Sequence, residues 1–192
     1  MISESINENL KTGAEIADRI EALSEYICQE FQNIPTEEFF TSPEGAWSPA
    51  LNLKHLIKAA LPISITLSLP VVSLLPMGKS GSERNYAQVR DLYLSFLKNG
   101  AQAGVFTPMK ISSGTEAAKT ALIEKFKNTH TKFASRIRSW SERDLLRYRM
   151  PHPIIGMISV KEMLYFATYH LGHHSGNALR RRSPGLKHGN GN

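Results

Sequence analysis

Apolar residues recur every three or four positions along most of this chain. Between about residues 4 and 32, Ile6, Leu10, Ala14, Ala17, Ile20, Leu23, Ile27 and Phe31 keep that spacing, which places them on one face of a helix several turns long. Pro35 marks its end, and residues 36–49, with Pro43, Gly45 and Trp47, read as a loop. Ser48-Pro49 opens a second helix, with serine as N-cap and proline at the first helical position, where a missing N–H costs nothing. Leu51, Leu53, Leu56, Ile57 and Ala60 follow, and Pro62 is expected to kink or end the helix because its ring removes an internal hydrogen bond.

Residues 70–113 read as a long crossover, rich in Pro, Gly and Ser at both ends, with a shorter helix over about Glu83 to Lys98. The third main helix starts near Ser113-Gly114-Thr115-Glu116 and carries Leu122, Phe126, Phe133 and Ile137 before ending at Trp140. The last is capped by Ser159, with Glu162 three residues on as the reciprocal capping-box partner, and reaches about Arg182. No segment reads convincingly as a strand. Four main helices with one long connection between the second and third predict an all-α four-helix bundle over residues 1–182. Residues 183–192, low in complexity from Gly185 onward, are expected to be a flexible tail.

Composition adds constraints. A chain of 192 residues suits one domain, and its single cysteine, Cys28, forbids an intramolecular disulfide and favours a reducing compartment. Cys28 reads as a small buried hydrophobe, since nothing near it in sequence would lower its pKa. The N-terminus lacks the basic and apolar regions of a signal peptide, and the apolar stretch from Leu61 to Leu75 is interrupted by Pro62 and Pro70. A cytoplasmic protein with no membrane partner is therefore expected. The net charge of +6 owes much to Arg180, Arg181, Arg182 and Lys187 at one end, without a basic stripe or interleaved aromatics, and so does not favour nucleic-acid binding.

The histidines carry the chemistry. Three of the seven lie within five residues: His170, His173 and His174. At about 100° per residue, the apolar positions Val160, Leu164, Ala167, Leu171 and Ala178 fix the core direction. His174 lies roughly 40° from it, His170 roughly 80°, and His173 roughly 140°. The pair at i, i+4 can therefore grip one ion, with His173 flanking. A third ligand must come from another helix, and His55 is the one histidine in the first two. It sits off the stripe of Leu53, Leu56 and Ile57, beside Leu51 and Ala59, which suits a cleft at the bundle edge.

The segment Gly45-Ala46-Trp47-Ser48-Pro49-Ala50-Leu51-Asn52-Leu53-Lys54-His55-Leu56 resembles the start of the second helix in the DinB-like superfamily, which includes the thiol-dependent transferases of bacillithiol-using bacteria. The run His152-Pro153-Ile154-Ile155-Gly156, a capped helix, then Tyr169-His170-Leu171-Gly172-His173-His174 is similar to the same group. The resemblance implies an up-down-down-up bundle, a homodimer, and one divalent ion, zinc or nickel, on His55, His170 and His174.

Three neutral imidazoles leave an open position on an ion, the pattern of a catalytic site. A water there makes a hydrolase; a low-molecular-weight thiol that attacks a small electrophile makes a thiol S-transferase, which the resemblance favours. A non-catalytic binding protein is the rival class. No general base stands out: Glu162 reads as a helix cap, His130 and His188 as surface residues, and Trp47 and Tyr169 as packing. His152, in the loop before the last helix, and His173 are the candidates to face substrate or to support the ligands.

Overall fold

In chain order the elements are α1 (Gly13–Gln32), α2 (Thr36–Phe40), α3 (Pro49–Ser68), a 3₁₀ turn (Val71–Met77) and α4 (Tyr86–Lys98). A second 3₁₀ turn (Gly104–Phe106), α5 (Glu116–Arg138), α6 (Glu142–Arg147), β1 (Arg149–His152), β2 (Gly156–Ser159) and α7 (Val160–Arg180) complete them. The computed structural model describes residues 7, 9–80, 83–102, 104–109, 111 and 113–180. The expected tail, His188 and the arginines after Arg180 lie outside the described residues.

The four long helices α1, α3, α5 and α7 form the bundle, with the long crossover running from α3 to α5. Both α1 and α3 pack against α5 and against α7, enclosing a core in which Ile20, Leu53, Phe126, Phe133 and Leu164 are wholly buried. Each such side chain contributes about 1.5–3 kcal/mol by leaving water. Helix α4, inside the crossover, lies against α7. Among the described residues no single helix is long and apolar enough to cross a membrane.

The helix ends follow local hydrogen bonding. Helix α1 begins at Gly13, where Thr12 and Glu15 form a reciprocal capping box, so the expected helix does not run unbroken through Leu10; its first residues, Ile6 among them, lie outside the described residues. Asn85 and Gln88 do the same for α4. Pro62 does not end α3, which continues to Ser68. Pro62 is exposed, and the turns beyond it are held by burial of Ile63 and Leu67, by Arg136 donating to Ser64 Oγ at 2.7 Å, and by Trp140 Nε1 donating to the Leu67 carbonyl at 2.9 Å. Tertiary bonds there outweigh the lost helical one.

Two further differences from the sequence reading come from short elements. The expected loop after Pro35 contains α2, which buries Phe39 and Phe40. Strands β1 and β2 form an antiparallel hairpin just before α7, pairing Met150 with Ile158 and His152 with Gly156. Four residues and a central Pro151 give too little alternation to reveal it, and proline is tolerated because the ribbon has only two strands. Gly156 has φ +87°, which a β-carbon would strain, so glycine suits the return from the turn.

Candidate metal centre

His55 stands two turns into α3, where Ser48 Oγ accepts from the Leu51 amide and sets the helix start. His170 and His174 stand one turn apart on α7, whose start is set by Ser159 and Glu162. One ligand nitrogen from each imidazole lies within 4.8 Å of the other two, a grouping that could hold a metal ion. The Nε2 atoms of His55 and His170 are 3.0 Å apart. Nitrogens around a tetrahedral zinc ion stand about 3.3 Å apart, so small ring rotations suffice for the fit.

Hydrogen bonds outside the triad decide where the ring protons sit. His55 Nδ1 is 2.9 Å from the Phe106 carbonyl, which can only accept, so Nδ1 carries the proton and Nε2 presents its lone pair. His174 Nδ1 donates to Asn52 Oδ1 at 3.0 Å. The Asn52 amide is oriented unambiguously, because its Nδ2 donates to the carbonyls of Trp47 at 3.2 Å and Ser48 at 3.0 Å. Two outer partners therefore turn two lone pairs inward, as metal-binding histidines require. Burial lowers the pKa of all three: His55 below its ordinary value, His170 well below it, and His174 to about 2, with the neighbouring imidazoles adding repulsion in the last two. The triad is neutral at neutral pH, the state that binds cations.

His55 is buried, at 3 % exposure, although it borders a cavity. Phe106 from the crossover and Trp47, whose ring lies 4.9 Å from that of His55, cover its side of α3. His170 is more deeply buried than His174, the reverse of the order given by helix angles alone. Tyr93 of α4 and Phe166 pack on His170, whereas Trp47 stacks on His174 at 5.7 Å and leaves it half-buried. Trp47 is thus a packing residue, but one that packs on the triad.

Two cavities meet at the triad. The smaller, about 170 Å³, is bounded by His55 and His170 together with Ile63, Tyr93, Met163 and Phe166. The larger, about 680 Å³ and more open, is bounded by His55 and His174 with Trp47, Asn52, Gln102, His173 and Asn177.

The remaining sequence candidates divide. His152 is buried at the end of β1 and lines the smaller cavity, which His55 and His170 also border. His173 lines the larger one, bonded to the Tyr169 hydroxyl at 3.0 Å and to Asn177 at 3.2 Å. Glu162 is the expected cap, and it is also buried, 1 % exposed and paired with Arg84 of the crossover at 2.8 Å. His130 is not a surface residue; it is 2 % exposed, against the Phe126 ring at 4.2 Å, with Nδ1 donating to the Phe126 carbonyl at 2.9 Å. Its place four residues after Phe126 and three before Phe133, on the apolar face, is the signal that reveals this. Cys28 is buried as expected, and burial pushes its thiol up to about 11, so it remains protonated and inert. Asn52, Phe106 and Tyr93 went unnoticed in the sequence; only Asn52, one turn before His55, had a positional cue.

The family model of the DinB superfamily matches residues 19–178. No curated protein and no solved structure matches the chain.

Proposed function

The chain belongs to the DinB superfamily, and on that premise we propose that it is a metal-dependent thiol S-transferase acting on small electrophiles. The observation that carries this reading is the convergence of three neutral imidazoles, His55, His170 and His174, where a polar and an apolar cavity meet. A divalent ion bound there, zinc or nickel, supplies a Lewis acid that favours an anionic ligand and lowers the pKa of a thiol.

The chain's own residues do the rest. Phe106 and Asn52 hold the ring protons of His55 and His174 outward. Trp47, Tyr93 and Phe166 shield the triad from water, which strengthens its electrostatics. Cys28 is buried and protonated and lines neither cavity, so the attacking sulfur comes from a cosubstrate. A low-molecular-weight thiol is polar, and the larger cavity, with Asn52, Gln102, His173 and Asn177, offers it matching partners. In the transfer, the sulfur bonds to the electrophilic carbon, the leaving group departs with its electron pair, and the thiol proton passes to solvent.

The test is consumption of monochlorobimane with a panel of thiols by zinc- or nickel-loaded protein, beside His174→Ala. Thiol-dependent turnover confined to the wild type, with a thiol-induced shift in the visible spectrum of the cobalt form, is the expected result. Equal rates in both proteins and an unchanged cobalt spectrum would refute the transferase reading and leave metal-dependent hydrolysis to be tested on esters.

A further inference from the structure

The smaller cavity has a chemistry of its own. Among the described residues its walls carry no Asp, Glu, Lys or Arg, and three methionines, Met77, Met150 and Met163, line it. Methionine walls are polarizable and adapt to ligands of different shape. The polar groups around the cavity are largely committed. Thr66 Oγ1 donates to the Pro62 carbonyl at 2.9 Å, and His55 Nδ1 donates to Phe106.

Buried His152 carries a polar atom that is not committed. Its Nδ1 accepts from the amides of Ile154 at 3.1 Å and Ile155 at 3.0 Å, in the hairpin loop. A nitrogen that accepts twice carries no proton, so the proton of the neutral ring is on Nε2. That Nε2 has no hydrogen-bond partner among the described residues, although His152 is only 4 % exposed. Its ring stands edge-on to Phe166 at 4.2 Å and Tyr93 at 6.1 Å, both of which border the same cavity. A buried donor left unmade destabilises the protein, and a bound acceptor would satisfy it.

We infer that this cavity seats an uncharged, apolar molecule about the size of one substituted ring, whose single hydrogen-bond acceptor takes the Nε2 proton of His152. The volume matches, since an apolar cavity of about 150 Å³ holds benzene. Charged molecules are excluded because the walls offer no counter-ion. The identification of this molecule with the electrophile rests on the transferase reading; its binding does not. On that reading the two reactants reach His55 from two cavities, the polar thiol from the larger and the apolar electrophile from the smaller.

The experiment titrates metal-free protein, its methionine methyls labelled with ¹³C, with acetophenone, ethylbenzene and benzoate. The first two have similar size but only acetophenone has an acceptor. Acetophenone is expected to shift the methyls of Met77, Met150 and Met163 and to leave the exposed Met109 unmoved. It is expected to bind about 2- to 12-fold tighter than ethylbenzene, the range of one net hydrogen bond, with no binding of benzoate at the same concentrations. Ala59→Leu, which fills the cavity, is expected to weaken both neutral ligands at least tenfold. In His152→Asn the side-chain oxygen still accepts from the loop amides while the distal N–H is gone, so acetophenone should fall to the affinity of ethylbenzene. Absence of shifts at the three methionines, or binding unaffected by Ala59→Leu, overturns the cavity assignment. Benzoate binding as tightly as acetophenone, or an acetophenone preference that survives in His152→Asn, overturns the role given to His152. All these readouts are made without metal, so a failed transferase assay with intact probe binding sinks the proposed function alone.

Discussion

Asn52 gives the sharpest test of how the triad is assembled. It is buried, its Oδ1 accepts the His174 Nδ1 proton, and its Nδ2 holds two carbonyls at the N-terminal end of α3. In Asn52→Ala the His174 ring loses the partner that fixes both its orientation and its tautomer. Outer partners of this kind are worth about 10- to 100-fold in metal affinity, or about 1.4–2.8 kcal/mol at 1.4 kcal/mol per decade. The same change strips the Trp47 and Ser48 carbonyls of a donor, which costs about 1–2 kcal/mol of folding stability. Asn52→Asp separates the two effects. A carboxylate still accepts from His174, so metal affinity should be retained, but it faces the two carbonyls with no donor, so stability should fall. Zinc affinity measured by competition with a chromophoric chelator, beside urea unfolding of the metal-free proteins, reads both quantities. Asn52→Ala binding zinc within twofold of wild type would show that the His174 ring is held without Asn52 and that the outer hydrogen bond does not orient it.

The other expectations concern the triad, acid, and one tight contact. His170→Ala and His174→Ala should each abolish stoichiometric metal binding, while His173→Ala, whose ring is bonded to Tyr169 and Asn177, should keep it; elemental analysis decides, and metal loss in the His173 variant alone would reverse the assignment. Burial lowers His130 from 6.5 to about 4, so the unfolded chain takes up the proton first. The stability tied to that group is complete above pH 6.5 and is lost as pH falls from 6.5 toward 4, by up to about 3 kcal/mol. Urea unfolding at pH 7 and pH 4.5 should show that loss reduced in His130→Leu, and an identical loss in both proteins would exclude the burial argument. At Gly114 an added β-carbon would lie 2.4–2.8 Å from the Phe40 ring. Gly114→Ala should therefore cost about 1–3 kcal/mol, seen as a drop of several degrees in melting temperature, whereas an unchanged melt would mean that Phe40 moves aside freely.

The sequence determined the helices of the bundle, because the 3.6-residue period depends only on which side chains leave water together. It also determined the starts of α3 and α7, since N-capping residues act on amides within three positions. The pairing of His170 with His174 was legible for the same reason: two residues four apart on one helix share a face whatever surrounds them. Part of what the sequence left open is local but too short to show a period, as in α2 and the β1–β2 hairpin; the rest involves groups far apart in the chain. Pro62 lies inside α3 because Arg136 and Trp140 hold the turns beyond it. His130 is buried because α3 and α7 close over it, around a small gap lined by Leu56, Ala60 and Leu171. The depth of His55 depends on Phe106, fifty-one residues away, and that of His170 on Tyr93. Local periodicity thus decided which side chains face inward. Only the tertiary structure decided which of them meet, because burial, ring tautomers and the two cavities at the triad are set by the crossover and the hairpin, whose contacts have no period along the chain.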